Sequence, residues 1–354
     1  MTVDLHSHST ASDGLLPPEA VAAAALAAGL ERWALTDHDT MDGIAAAEGA
    51  LAAAGSPTLR LLPGAELSTR WRGHSTHLLA YFPAFTGSWR QQPAAAEWLN
   101  WLSELRQRRA ARNAGLLDGL ARQGIRFPPE SLGGGRPIAA LGRNHIAQAL
   151  VAGGWAATVP AAFDQFLTPG APAWVPLQGI ETTAAIARVR AAGGLPGLAH
   201  PSRLKFDWRP HLPELASAGL AFLEAWYPTH DAAAIAAYRQ LATAHGLYAS
   251  GGTDFHARPN EALGVEIPAA PLAGLAHPSR LKFDWRPHLP ELASAGLAFL
   301  EAWYPTHDAA AIAAYRQLAT THGLYASGGT DFHARPNEAL GVEIPAAPLA
   351  WLAA

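Results

Sequence analysis

The sequence predicts an α/β fold in which helices cover a parallel sheet. Short apolar segments typical of strands alternate with Ala-rich helical segments over residues 3–82, and the alternation resumes near residue 180. The chain has 354 residues, of which 49% are hydrophobic and 15% charged. That composition is typical of a globular protein with a core large enough for one large domain or two medium ones.

The first third of the chain alternates strand and helix in order. The segment PPEAVAAAALAAGL begins with proline and ends with glycine, as helices commonly do. The predicted strands are residues 3–8, 32–39, 60–69 and 75–82, and the predicted helices are 17–30 and 40–55.

Residues 93–153 interrupt this alternation with a helical pattern, and its longest run is AEWLNWLSELRQRRAARNAGLLDGLARQG. We interpret this segment as a helical insertion. The alternation then resumes with predicted helices at 180–194 and 231–246 and predicted strands at 195–200, 221–226 and 247–256.

Residues 197–273 recur at 274–350 with one difference, Ala244 against Thr321. A recent tandem duplication and an error of gene assembly both explain so exact a repeat. Copy one follows the predicted helix 180–194, whereas copy two follows ALGVEIPAAPLA, which offers no crossover helix for a parallel connection. We therefore expect copy one to complete the sheet and copy two to be an appendage. A mixed closure with later strands from copy two remains the alternative.

Several classes of protein are excluded by composition. A net charge of −4 gives no bulk attraction for polyanions, and the absence of cysteine excludes disulfides and thiolate metal sites. The N-terminus lacks the basic and apolar regions of a signal peptide, and no apolar run is long enough to span a membrane. We expect a cytoplasmic protein with no obligate protein partner.

Metal-ligand side chains lie at the ends of the predicted strands, where the active sites of parallel barrels form. An isolated histidine or aspartate there is ordinarily structural, but nine at matching ends indicate a shared site. Imidazole and carboxylate without thiolate suit zinc, manganese or iron, and nine ligands suit two or three ions rather than one. The candidates are His6, His8, Asp13, His38, Glu66, His77, His200, Asp254 and His256. Copy two repeats the last three as His277, Asp331 and His333.

The motifs DLHSHSTASDG, TDHDTMDG, GAELST, AHPSR and GTDFH together resemble the PHP (polymerase and histidinol phosphatase) family. The resemblance covers Met1 to about Ala273 and is strongest to the bacterial nucleoside 3′,5′-bisphosphate phosphatases, some of which act as 5′-3′ exoribonucleases. It implies a distorted (β/α)7 TIM-like barrel from residues 1–92 and 154–273. Residues 93–153 would form a substrate cap, 274–350 a duplicated appendage and 351–354 a tail.

The resemblance also implies a trinuclear centre, most often with manganese and in some members with zinc, iron or magnesium. A metal-bound water would attack phosphorus, so no protein nucleophile is needed. The implied ligand sets are His6, His8, Glu66 and Asp254 for one ion, Glu66, His77 and His200 for a second, and Asp13, His38 and His256 for a third.

Three residues become substrate-binding candidates. GRNHIAQAL is similar to the Arg-x-His segment that lies beside the substrate in the family, which points to Arg143 and His145. Arg203 follows His200 by three residues, and an arginine fork suits phosphate oxygens. The basic stripe at residues 106, 108, 109 and 112 is better explained as a solvated helix face than as a polynucleotide track.

The sequence thus predicts a metal-dependent phosphoric ester hydrolase acting on nucleoside 3′,5′-bisphosphates and on short RNA 5′ ends. One alternative is a PHP phosphatase for another small phosphomonoester, such as histidinol phosphate. The other is a non-catalytic metal-binding protein whose barrel the duplication has inactivated.

Overall fold

The structure is a computed structural model of the whole chain. It describes residues 2–55, 59–85, 87, 89–176, 179–267, 273–275, 286, 297–303, 307–322 and 325–328. The chain divides into two compact units. The larger contains residues 2–239 and 247–266, and the smaller contains residues 240–246 and the part of the chain from residue 267 onward.

A mixed sheet forms the centre of the larger unit. Its strands are β1 (Thr2–Asp4), β2 (Arg32–Leu35), β3 (Arg60–Trp71), β4 (His74–Tyr81), β5 (Ile180–Glu181), β6 (Leu195–Leu198), β7 (Phe222–Trp226), β8 (Tyr248–Gly251) and β9 (Val265–Glu266). They follow the order β8-β7-β6-β4-β3-β2-β1-β9, and β5 pairs with β3.

Helices connect these strands. They are α1 (Pro18–Ala27), α2 (Ile44–Ala54), α3 (Pro93–Arg122), α4 (Arg143–Ala152), α5 (Val159–Ala162), α6 (Thr182–Ala191), α7 (Leu212–Ala218) and α8 (Ala232–Ala244). Residues 93–153 contain α3 and α4 and no strand. These two helices and the residues that follow share an apolar core that includes Leu116, Leu120, Ile146, Leu150 and Leu167.

The expectation of a wholly parallel sheet is wrong at β4, which runs antiparallel to both β3 and β6. The cause is the connection between β3 and β4, which consists only of Arg72 and Gly73. Both residues have positive φ, 51° and 83°, as the two central residues of a type I′ hairpin turn require. Two residues cannot make the crossover that a parallel pair needs, so the chain folds back as a hairpin.

The predicted strand 3–8 is also too long, since β1 ends at Asp4. The buried carboxylate of Asp4 accepts hydrogen bonds from the backbone N–H groups of His6, Thr253 and Gly264 and from the Thr253 hydroxyl. These bonds draw the chain beyond β1 against the chain beyond β8.

Backbone contacts beyond β1 and β8 nearly close the sheet into a barrel. Ser7 forms a parallel bridge with Phe255. The His8 N–H donates to the Phe255 carbonyl at 2.7 Å, and the Phe255 N–H donates to the His6 carbonyl at 3.3 Å. The closure places His6 and His8 beside Asp254 and His256, although the sequence separates the two pairs by about 250 residues.

In the smaller unit, copy two forms a parallel sheet of its own from β10 (Ala273–Leu275), β11 (Leu297–Trp303) and β12 (Tyr325–Gly328). Helix α9 (Ala309–Thr321) precedes β12. Phe299 pairs with Tyr325 in the register that Phe222 and Tyr248 adopt in copy one. Identical sequence therefore gives identical local pairing. His277, Asp331 and His333 lie outside the described residues.

The hairpin turn can be tested with two glycines that differ only in backbone conformation. A Cβ added to Gly73 or to Gly49 of α2 meets no other atom within 4 Å, but only Gly73 has positive φ. Gly73→Ala should lower the free energy of unfolding by about 1 kcal/mol, since an L-residue is strained there. Gly49→Ala should raise it by about 0.5–1 kcal/mol. Urea denaturation measures both, and equal effects would contradict the assigned turn.

Candidate metal centre and substrate cavity

The candidate ligands converge at one edge of the larger unit's sheet, where the parallel strands β1, β2, β6 and β8 end. Glu66 and His77 reach the same edge from within the β3–β4 hairpin, because β4 is antiparallel and residue 77 lies opposite Ser68 of β3. His77 therefore sits early in its strand, whereas the other ligands lie at or beyond the ends of theirs.

Glu66 is the carboxylate on which this cluster centres. It is fully buried, and five imidazoles lie within 3.4 Å of its two oxygens. Oε1 lies 2.9 Å from His77 Nδ1, 3.0 Å from His200 Nε2 and 3.4 Å from His6 Nε2. Oε2 lies 3.0 Å from His38 Nδ1 and 3.2 Å from His8 Nε2. A single carboxylate thus joins ligands that five different segments supply.

Three groups of ligand atoms, each within 4.8 Å of one another, overlap in this cluster. They are His6, His8, Glu66 and Asp254; His8, Asp13, His38 and His256; and His38, Glu66 and His77. The first is the set predicted for one ion. The second adds His8 to the predicted third set. The remaining predicted ligand, His200, lies 3.3 Å from His77 Nδ1 through its Nε2 atom, so all nine candidates share one site.

The donor set fits divalent cations. Six buried ring or carboxylate atoms of the cluster have no hydrogen-bond partner: His6 Nε2, His8 Nε2, Asp13 Oδ1, His38 Nδ1, Glu66 Oε2 and His200 Nδ1. Buried polar atoms are costly unless they are satisfied, and metal coordination satisfies them. Three carboxylates and six imidazoles without thiolate match borderline or hard ions such as zinc and manganese.

Electrostatics of the cluster favour bound cations or protons. Burial opposes the charged form of Glu66, yet the surrounding histidines hold the pKa of its carboxyl well below its usual range. Burial alone would lower the pKa of His8, but Asp254 and Glu66 raise it to about 10. Positive charge is therefore strongly stabilised here, and divalent metal ions compete with protons for the same nitrogen atoms.

Asp254 is oriented from outside the cluster. Its Oδ2 accepts hydrogen bonds from Arg203 Nη1 at 2.7 Å and from the Tyr227 hydroxyl at 3.0 Å. Its Oδ1 is left facing His6 Nε2 and His8 Nε2 at 3.4 and 3.2 Å. Arg203, a predicted substrate-binding residue, thus also holds a candidate ligand in place.

Glu224 is a residue that sequence reasoning missed. It is fully buried on β7, its Oε1 lies 3.1 Å from His6 Nδ1, and its Oε2 accepts the His200 backbone N–H at 2.6 Å. A carboxylate on Nδ1 fixes the ring so that Nε2 faces the cluster, as carboxylates do behind metal-bound histidines. The available signal was a lone acidic residue inside the apolar strand segment AFLEAW.

Asp37 organises the HSTASDG loop that carries His8 and Asp13. Its Oδ1 accepts the Ser9 backbone N–H at 2.7 Å and the Ser12 hydroxyl at 2.6 Å, and its Oδ2 accepts the Ser9 hydroxyl at 2.6 Å. Sequence reasoning gave no role to Asp37, because an aspartate in TDHD is equally consistent with a turn.

Backbone strain concentrates at the site. His200, Asp254 and Asp39 have positive φ of 28°, 56° and 54°. Residues that are neither glycine nor asparagine seldom adopt this conformation, and it persists where the surrounding contacts over-determine it. The fold therefore holds His200 and Asp254 in orientations that a relaxed strand end would not give.

The cluster opens into a cavity of about 900 Å³ that is lined by arginines and aromatic rings. The solvated face expected for residues 106–112 of α3 is wrong at two positions: Arg109 and Arg112 are buried, with 6% and 7% of their surface exposed. Arg109 is paired with Asp39, whose Oδ2 accepts from Nε at 3.1 Å. Both arginines line the cavity because this face of α3 lies over it.

The other two predicted substrate-binding residues differ in position. Arg143 lines the cavity, with its guanidinium 5.8 Å from the ring centre of Phe163 and 5.6 Å from that of Trp174. His145 is buried behind it. Its Nδ1 accepts the Gly142 backbone N–H at 3.1 Å, its Nε2 lies 2.9 Å from Arg136, and burial lowers its pKa. The structure therefore places Arg143, but not His145, on the cavity wall.

Comparison with known proteins identifies the family. The PHP domain profile matches residues 4–100. The 5′-3′ exoribonuclease Rnm of Escherichia coli is 34% identical over 259 residues, which are 72% of this chain and 84% of that protein. The chain belongs to the PHP family. A 3′,5′-nucleoside bisphosphate phosphatase of Chromobacterium violaceum is also 34% identical, over 72% of this chain and 87% of its own length.

A solved structure agrees with this PHP membership. A Bifidobacterium adolescentis protein assigned to the metal-dependent phosphoesterases is 27% identical, with a TM-score of 0.61 over 73% of this chain and 90% of its own. The predicted family and enzyme class are confirmed, and the chain is a hydrolase with a mixed α/β, nearly closed barrel-like sheet. In the described part of the chain, no helix is long and apolar enough to cross a membrane.

Asp37→Asn tests the support behind His8 and Asp13. An amide cannot accept hydrogen bonds at both positions, so we expect a loss of about 1–3 kcal/mol in unfolding free energy and a 10- to 100-fold loss of manganese affinity. Thermal unfolding and isothermal titration with manganese measure the two effects. Asp42→Asn is the matched control, because that side chain is 63% exposed, and we expect it to change stability by less than about 1 kcal/mol. Equal effects of the two substitutions would show that Asp37 has no special role.

Proposed function

We propose that this PHP protein hydrolyses a phosphate ester of nucleoside 3′,5′-bisphosphates, and of short RNA 5′ ends, with divalent metal ions. The observation that carries the proposal is the overlap of three ligand groups around Glu66 at the floor of an arginine-lined cavity. The names of the relatives from Escherichia coli and Chromobacterium violaceum supply the substrate class.

Charge explains why this site suits phosphate. The three carboxylates Asp13, Glu66 and Asp254 carry three negative charges, fewer than two or three divalent ions supply. The cavity adds Arg112, Arg143 and Arg203. An anionic substrate group balances this excess, and a phosphate ester also offers oxygen atoms to both the ions and the guanidinium forks.

We propose two or three ions, with manganese the first to test and zinc, iron and magnesium as alternatives. His6, His8, Glu66 and Asp254 would hold one ion. Asp13, His38 and His256, beside His8, would hold another, and Glu66, His77 and His200 a third. Bound ions of this kind activate water and stabilise the charge that develops on phosphate oxygens.

The protein's own groups position and balance the reaction. Glu224 fixes the ring of His6, and Arg203 with Tyr227 orients Asp254. Arg203 and Arg143 lie on the cavity wall as cations for substrate phosphate, and we keep His145 as a positioning residue behind Arg143. No side-chain nucleophile is required.

The proposed architecture is a distorted (β/α)7 barrel formed by residues 1–92 and 154–273, with 93–153 as a cap over the cavity. Support comes from α3 and α4, which contribute Arg109, Arg112 and Arg143 to the cavity wall. We propose that copy one completes this barrel and that residues 274–350 are an appendage. His200, Asp254 and His256 lie within contact of the N-terminal ligands in the larger unit, which supports this choice.

Activity assays separate this proposal from its alternatives. With manganese, we expect turnover of adenosine 3′,5′-bisphosphate and of a short 5′-phosphorylated RNA to exceed that of histidinol phosphate by at least tenfold in kcat/KM. Preference for histidinol phosphate would favour the small-phosphomonoester alternative. A folded, manganese-loaded protein without turnover on any of the three would favour a non-catalytic role.

The two copies can be separated by the same substitution in each. Asp254→Asn should abolish high-affinity manganese binding and activity, while Asp331→Asn and deletion of residues 274–350 should leave both within about twofold of the parent. The expectation follows from the overlap of Asp254 with His6, His8 and Glu66. Loss of manganese binding in Asp331→Asn, with binding retained in Asp254→Asn, would assign the site to copy two.

A further inference from the structure

An unpaired buried arginine lies in the wall of the cavity. Arg112 of α3 is only 7% exposed, and its Nε and Nη1 atoms have no hydrogen-bond partner. Arg109, one turn earlier on the same helix, differs in being neutralised by Asp39. In the described part of the chain, no acidic side chain lies within ion-pair distance of Arg112.

The neighbours of Arg112 increase its need for an anion. Burial and the like charges of Arg109 and Arg143 lower the pKa of Arg112 to about 9, so it remains a cation at neutral pH. Arg143 is also desolvated and forms no ion pair with any described residue. Burying two such cations without compensation is unfavourable, whereas a phosphate group that accepts from both forks makes it favourable.

We propose that Arg112, together with Arg143, binds the non-reacting phosphate of a doubly phosphorylated nucleotide and so selects bisphosphates over monophosphates. This inference rests on the proposed function, because it assumes that the reacting phosphate lies at the Glu66 cluster. Both sets of residues line one cavity, and its volume of about 900 Å³ is in the range of small-molecule sites.

Phe163 and Trp174 complete the surroundings of this phosphate site. Their rings lie beside the Arg143 guanidinium, which limits its freedom and excludes water from one side of the pair. A guanidinium held in this way loses less conformational entropy when it binds a phosphate. The site therefore favours a compact dianion over a diffuse polyanion, and thus a second phosphate on the same nucleoside.

The test compares Arg112→Gln with Arg108→Gln, since Arg108 lies on the same helix but is exposed. With manganese, Arg112→Gln should lower kcat/KM for adenosine 3′,5′-bisphosphate by about 10- to 100-fold. It should change kcat/KM for adenosine 3′-monophosphate and 5′-monophosphate by less than threefold. Arg108→Gln should leave all three values unchanged. A parallel loss on all three nucleotides in Arg112→Gln would overturn the proposal.

A binding measurement keeps this test separate from that of the proposed function. Isothermal titration of adenosine 3′,5′-bisphosphate into the as-purified protein with chelator present should show affinity at least tenfold weaker for Arg112→Gln than for the parent and for Arg108→Gln. Equal affinities would overturn the inference even if the enzyme is active. Absence of turnover by the parent on every nucleotide would instead overturn the proposed function.

A second variant covers the case in which Arg112→Gln does not fold, which circular dichroism would show. Arg112→Lys keeps the charge but loses the fork, so it should lower the ratio of kcat/KM for the bisphosphate to that for the monophosphates by at least fivefold. An unchanged ratio in this folded variant would contradict the assignment. A 5′-phosphorylated dinucleotide that is affected more strongly than the bisphosphate would show that Arg112 contacts the next RNA phosphate instead.

Discussion

The buried carboxylate of Glu66 is the interaction on which the rest of the site depends. Five imidazoles surround it at 2.9–3.4 Å, and they come from four strand ends and from β4. A charge with no exposed surface is tolerable only if compensating charge lies on every side. The backbone strain at His200 and Asp254, the carboxylate of Glu224 and the near closure of the barrel all serve to bring those partners to one point.

The duplication separates local from global determinants of structure. Copy two repeats the strand register of copy one, because pairing within the segment depends only on its own sequence. A metal centre depends on more, since His6, His8, Asp13, His38, Glu66 and His77 occur once in the chain. One barrel can therefore use only one set of the duplicated ligands, and the crossover helix α6 leads directly into that of copy one.

Much of the site could be predicted from sequence, because strands of a parallel sheet end at one edge and the ligands mark those ends. The direction of β4 could also have been predicted, since Arg72-Gly73 leaves no room for a crossover. Other features could not. The segment RQRRAARN is polar on all sides, so only the assembled cavity shows that Arg109 and Arg112 face inward. Glu224 shows its role only when β7 lies beside β1.

Anomalous diffraction from crystals grown with manganese tests the central claim most directly. The account predicts two or three manganese peaks around Glu66, with its carboxylate bridging two of them and with Asp254 and His256 among the ligands. Absence of ordered metal at Glu66, or coordination there by Asp331 and His333 in place of Asp254 and His256, would contradict it.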